Sequence, residues 1–312
     1  MNPQKIGFLF PGQGAQFVGM GKEWAGLFEK ARRVYEEADQ ILRTPISKIC
    51  FEGPEESLTR TLYAQPAIFV TSLALLSVLE EKLPELKASF VAGLSLGEFT
   101  ALVAAGSLSF EEGLKLVQAR AQLMEKAAEN HPGTMVSIIG LSQEICTGIA
   151  KESGAEMANL NAPDQFVLSG KAEAVERAAL AAEQKGAKRA LRLKVGGAFH
   201  SSLMNEAKEG LLEALRKVTI RPPQCAFVPN ASAVPERDPE KIRRLLGDQL
   251  TSPVRWIETI GRAKEAGLQR LIEPGPGRVL KGLTKRIEPT LEVLSFERTS
   301  DLEALETALA KV

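Results

Sequence analysis

The chain has 312 residues, 44% hydrophobic and 25% charged, so it can bury a large core in one elaborate domain or in a domain carrying an insertion. Lys plus Arg equals Asp plus Glu at 39 each, which gives no global basic field for nucleic acid or an anionic membrane. Cys50, Cys146 and Cys225 are widely spaced with no Cys-x-x-Cys pair, and only His131 and His200 are present, so the expectation is reduced thiols and no zinc site.

Ile6-Gly7-Phe8-Leu9-Phe10 reads as a buried first strand, too brief for a secretory core segment, and it ends at Pro11-Gly12-Gln13-Gly14. The glycine spacing fits neither a dinucleotide fingerprint nor a phosphate loop. The loop suits either an ordinary turn or a backbone donor site at the Gln13 N–H. Residues 22 to 62 alternate helical patterns with short breaks. Gln65-Pro66 is expected to open an apolar, buried helix with Pro66 in its first turn, ending near Leu83-Pro84. That stretch is interrupted by Thr71, Ser72 and Ser77 and falls short of the roughly 20 residues that span a bilayer. A cytoplasmic location is expected by default.

Gly93-Leu94-Ser95-Leu96-Gly97-Glu98 stands between the strand-like Ser89-Phe90-Val91-Ala92 and a run of helix formers from Phe99. Gly-x-Ser-x-Gly in that setting is a nucleophile elbow, with glycines where the backbone reverses and the Ser95 hydroxyl exposed above the sheet. A serine hydroxyl needs a base. Ser109-Phe110-Glu111-Glu112 has the form of a capping box and starts a helix to about Asn130. Arg120 falls on that helix's apolar arc, where a guanidinium needs an anion. Either an internal Asp or Glu supplies it, or the substrate does.

From Thr134 to Val195 the elements run β-α-β-β-α-β, the ferredoxin-like pattern, inserted as residues 131–196 into a larger α/β domain made of 1–130 and 197–312. Asn159 and Asn161 suit either a turn or the lining of a cleft, and a turn role is expected. His200, in Ala198-Phe199-His200-Ser201, is expected at the start of a helix running to about Lys217, whose dipole would keep the ring neutral and fit for general base work. Beyond it, alternating strands and helices through Phe296 imply a parallel sheet covered on both faces.

Taken in order, Phe10-Pro11-Gly12-Gln13-Gly14-Ala15-Gln16, Gln65-Pro66-Ala67, the Ser95 elbow, Gln118-Ala119-Arg120, Ala198-Phe199-His200-Ser201, Gln249-Leu250 and Gly275-Pro276-Gly277-Arg278-Val279-Leu280 resemble the malonyl-CoA:acyl-carrier-protein transacylase family over nearly the whole chain. The resemblance implies an α/β-hydrolase-like large domain with the ferredoxin-like insertion. It also implies a ping-pong transfer of malonyl from its CoA thioester to the phosphopantetheine thiol of acyl carrier protein. By the same resemblance Ser95 is the nucleophile and His200 its base, Gln13 and Leu96 offer oxyanion N–H groups, Arg120 binds the malonyl carboxylate, and Gln249 orients His200. No cofactor is implied beyond the two thioester substrates, and a monomer is expected.

Phe199 resembles the malonyl-selecting form of related polyketide acyltransferases. The chain departs from the family pattern at Leu94, where histidine is common, and at Gly197, where a larger residue or proline is common. An acidic carrier protein calls for a basic surface, with Lys281, Lys285, Arg286 or Lys188, Arg189, Arg192 as candidates. A serine hydrolase or thioesterase shares the elbow, and a non-catalytic carrier-binding module is a further alternative.

Overall fold

The computed structural model describes residues 5–310. Its strands in chain order are β1 (Ile6–Phe10), β2 (Ala88–Gly93), β3 (Thr134–Ile139), β4 (Glu156–Ala162), β5 (Gln165–Gly170), β6 (Arg189–Arg192), β7 (Ala226–Phe227), β8 (Arg270–Pro274) and β9 (Glu292–Phe296). The large sheet runs β7-β2-β1-β8-β9 with every pairing parallel. Helices cover both faces, so β1 is buried along its whole length and carries no polar alternation. The register pairs Phe10 with Gly93, which sets the loops after β1 and β2 side by side at the carboxyl end of the sheet.

The small sheet runs β4-β5-β3-β6, all antiparallel, with the helices Gln143–Ser153 and Ala172–Gln184 packed on it. This is the ferredoxin-like order, and its own apolar cluster is built from residues such as Val136, Ile138, Phe166 and Leu168. Asn159 and Asn161 lie within β4 and not in a turn, which corrects the turn expectation. Asn159 pairs with Val254, so this stretch of strand is held by the large domain and ends only at the Pro163-Asp164 turn.

The helix Thr61–Lys82 is buried on nearly all sides among other helices of the large domain. Among the described residues it alone is long and apolar enough to cross a membrane, and 83% of its most apolar window is buried inside the protein. It starts one turn before the expected place, so Pro66 lies inside it. Packing of Thr61, Ala64 and Gln65 against the core outweighs the hydrogen bond that proline forgoes. The capping box at Ser109 forms, with Glu112 N–H to Ser109 Oγ at 3.2 Å and Ser109 N–H to Glu112 Oε2 at 2.9 Å, worth about 1 kcal/mol to the helix Phe110–Asn130.

Candidate active site

Ser95 sits between β2 and the helix Gly97–Ala104 with φ of 53°, the left-handed region that costs a side chain energy. The two flanking glycines make the turn possible. A Cβ on Gly93 would stand 1.9 Å from the Gly97 carbonyl carbon, and one on Gly97 would stand 2.1 Å from the Phe10 oxygen. The Leu94 N–H donates to the Phe10 carbonyl at 3.0 Å, which ties the elbow to β1.

His200 Nε2 lies 2.8 Å from Ser95 Oγ, and His200 Nδ1 lies 2.8 Å from the Gln249 backbone carbonyl. A carbonyl can only accept, so Nδ1 carries the proton and Nε2 presents a lone pair to the serine. Burial first, then the nearby Arg120 charge, pushes the imidazole down to about 4, so the ring is neutral at neutral pH. The helix dipole is not the cause. His200, itself at φ of 58°, precedes a single 3-10 turn at Ser202–Met204, and the α-helix covers only Asn205–Leu215.

Arg120 is 1% exposed and reaches into the same spot. Its Nη1 donates to Gln65 Oε1 at 2.7 Å, and its Nη2 donates to Ser95 Oγ at 2.9 Å and to Gln249 Oε1 at 2.8 Å. The guanidinium carbon stands 5.7 Å from the centre of the Phe99 ring. Among the described residues no carboxylate makes an ion pair with it, and its Nε–H has no acceptor. Burial pulls its pKa down to about 10, which leaves it charged at neutral pH.

The loop after β1 closes on the elbow. A Cβ on Gly12 would lie 2.4 Å from the Leu94 carbonyl oxygen, so only glycine admits this approach. Gln13 is half-buried and its side-chain amide donates to Thr61 Oγ1 at 3.3 Å. Among the described residues neither the Gln13 nor the Leu96 backbone N–H has an acceptor. The arrangement is therefore a serine held by a neutral imidazole, beside a buried cation and two unengaged backbone donors. Such a site can make and break an ester of a carboxylated acyl group.

Comparison with known proteins agrees. The acyl transferase domain family matches residues 7–289. A malonyl CoA-acyl carrier protein transacylase of Bacillus subtilis (strain 168) is 42% identical over 310 residues, 98% of this chain and 96% of that protein. The chain belongs to the malonyl CoA-acyl carrier protein transacylase family. The Escherichia coli (strain K12) transacylase is 36% identical over 304 residues, covering 96% of this chain and 98% of that one. The crystal structure of acyl-carrier-protein-S-malonyltransferase from Bartonella henselae superposes with a TM-score of 0.94 at 40% identity, covering 98% of this chain and 100% of that one. A malonyl-transacylase solved in complex with its type II PKS acyl-carrier protein superposes with a TM-score of 0.93 at 39% identity, covering 99% and 100%.

Gly197 and Leu94 each have a local packing role. A Cβ on Gly197 would lie 2.5 Å from the Ala128 side chain, so nothing larger than glycine fits against the Phe110–Asn130 helix. Leu94 packs its side chain on the apolar cluster around Phe90, Val254 and Trp256. Phe199 lines a cavity of about 620 Å³ together with Arg60, Thr61 and Lys194.

Three site residues carried no signal of their own in the sequence. Asn230 is fully buried, and its Oδ1 accepts from the Ser95 N–H at 2.6 Å while its Nδ2 donates to the Gly93 carbonyl at 2.7 Å. Glu98, also fully buried, accepts from the Asn230 N–H and from Gln249 Nε2. Gln65 stood out only as part of a motif, yet it fixes one edge of Arg120.

Proposed function

We propose that the protein transfers malonyl from malonyl-CoA to the phosphopantetheine thiol of acyl carrier protein through a malonyl ester of Ser95. The observation that carries this reading is the meeting of Ser95 Oγ with His200 Nε2 at 2.8 Å and with the buried Arg120 Nη2 at 2.9 Å. A nucleophile in contact with a buried cation suits an acyl group that bears its own carboxylate, which Arg120 would grip through charge-assisted hydrogen bonds.

Ser95 Oγ attacks the thioester carbonyl as its proton passes to His200 Nε2. The Gln13 and Leu96 N–H groups take the oxyanion, the Leu96 N–H favoured by its place at a helix start. Collapse breaks the C–S bond, and the imidazolium returns its proton to the departing CoA sulfur. The carrier thiol then gives its proton to His200, attacks the malonyl ester, and expels the Ser95 oxygen, which recovers that proton. The imidazole is a weak base in the resting enzyme, and the oxyanion forming beside it favours its protonation during each step. The Gln249 carbonyl fills the place where a hydrolase usually sets an acid. In this reading no cofactor is needed beyond the two substrates, and the protein is a monomer.

The relative solved with its carrier protein supports an acyl carrier protein as the second substrate. The basic clusters thin out as docking candidates once their ion pairs are counted. Arg286 is engaged by Asp164 and by Gln165 Oε1, and Arg192 by Glu176 and Glu183. Lys281 and Lys285 are exposed four residues apart on the helix Val279–Ile287, beside the exposed Val279, with no ion-pair partner among the described residues. These two lysines are the docking contact best supported by charge, with exposed Lys188 and Arg189 as a second. The free cysteines suit a reducing compartment such as the cytoplasm.

The test is malonyl transfer from malonyl-CoA to a phosphopantetheinylated carrier protein, with Ser95→Ala beside the native chain. Transfer should fall by about 10⁴-fold or more in the variant. Persistence of transfer without the hydroxyl would refute the covalent route.

A further inference from the structure

We propose that Glu98 is a positioning residue for acyl transfer, acting through Asn230 and Gln249 to hold Ser95 and Arg120 in register. The inference rests on the transferase reading above and adds a residue to it. Glu98 lies in the first turn of the Gly97–Ala104 helix and is fully buried, so its carboxyl exchanges nothing with water. One oxygen accepts from the Asn230 N–H and the other from Gln249 Nε2.

Each of those partners spends its remaining polar atoms on the site. Asn230 Oδ1 holds the Ser95 N–H at 2.6 Å, and Gln249 Nε2 also donates to the Ser95 carbonyl at 2.8 Å. The serine peptide is thus gripped on both sides, which keeps its backbone at φ of 53° without help from the substrate. Gln249 Oε1 accepts from Arg120 Nη2 at 2.8 Å, and the Gln249 backbone carbonyl faces His200 Nδ1 at 2.8 Å.

The Ser95 carbonyl can only accept and the Arg120 guanidinium can only donate, so the Gln249 NH2 turns to the carbonyl and to Glu98 while its oxygen turns to Arg120. The reverse orientation would set two donors against each other at the guanidinium. Glu98 also lies close enough to favour the charged form of Arg120 while touching none of its N–H groups, so it takes none of the donors that a substrate carboxylate needs. A buried carboxyl is costly, and burial pushes this one up to about 8 against the two N–H donors.

The experiment compares the native chain with Glu98→Gln, Gln249→Ala and the double variant, each checked for folding by circular dichroism and thermal midpoint. Steady-state transfer is measured with malonyl-CoA and with acetyl-CoA. Gln at position 98 places an NH2 where the acceptor was and turns the Gln249 amide away from Arg120. The malonyl kcat/KM should fall by about 30-fold or more, and the malonyl-to-acetyl ratio by about tenfold. In the double variant the malonyl kcat/KM should lie within about threefold of Gln249→Ala alone, because both changes break one relay. A purely structural role for Glu98 would lower the midpoint and scale both substrates equally. An unchanged ratio in folded Glu98→Gln, or losses that multiply in the double variant, would overturn the proposal. If Glu98→Gln yields no folded protein, Gln249→Ala carries the decision, since an unaltered ratio there breaks the relay as proposed. Failure of the native chain to transfer malonyl at all would instead strike the transferase reading.

Discussion

Arg120 Nη2 donates to Ser95 Oγ across 2.9 Å, so the buried cation of the site touches the nucleophile itself. An incoming malonyl group must place its carboxylate against the same guanidinium that the serine now shares. Two charge-assisted hydrogen bonds lost together amount to about 3 kcal/mol. Arg120→Ala should therefore lower kcat/KM for malonyl-CoA by about 100-fold while changing that for acetyl-CoA by only a few-fold. Paired kinetics with the two thioesters measure this, and an equal loss for both would remove the carboxylate role.

The pH profile follows from His200. Its folded pKa is depressed to about 4 by burial and by Arg120, so the neutral base persists as the pH falls through the ordinary histidine range and is lost only near the lower value. The rate of Ser95 acylation by malonyl-CoA should show no limb near 6.5 and should drop only as the pH falls below about 5, any change near pH 8 reporting Glu98 instead. Stopped-flow acylation across this range is the check. A limb centred near 6.5 would show the ring far more solvated than the structure has it.

Asn230→Ala leaves the buried Ser95 N–H and Gly93 carbonyl without their partners, at a cost of about 3 kcal/mol. In a chain of this size that corresponds to a fall of about 5 °C in Tm. Thermal unfolding measures it, and a shift under about 2 °C would mean that the asparagine does not clamp the elbow.

Reversing Lys281 and Lys285 to Glu should raise KM for carrier protein by about tenfold at low salt, with a smaller effect as salt rises. KM for malonyl-CoA should stay put. An unchanged carrier KM would move the docking contact elsewhere, with Lys188 and Arg189 next in line.

Much of the fold was legible because its signals are local. The elbow glycines, the Ser109 capping box and the β-α-β-β-α-β alternation each state their geometry within a few residues. Boundaries failed where long-range packing decided them. The helix through Pro66 starts a turn early because Thr61 and Gln65 are buried, and the Asn159 strand persists because Val254 pairs with it. The terminal helix Asp301–Ala310 was not anticipated. Asn230 and Glu98 were silent for a similar reason: their partners lie more than a hundred residues away, and neither residue type at its position distinguishes a buried clamp from a solvated side chain. His200 meets Ser95 as expected, but desolvation keeps its ring neutral and not a helix dipole, since only a 3-10 turn follows it.

The most direct test is intact mass and peptide mapping after brief exposure to malonyl-CoA, followed by addition of holo carrier protein. The expected result is one malonyl group on the peptide that contains Ser95, discharged to the carrier thiol faster than to water. No adduct on Ser95, or an adduct lost to water at the same rate with and without carrier, would contradict a malonyl transferase.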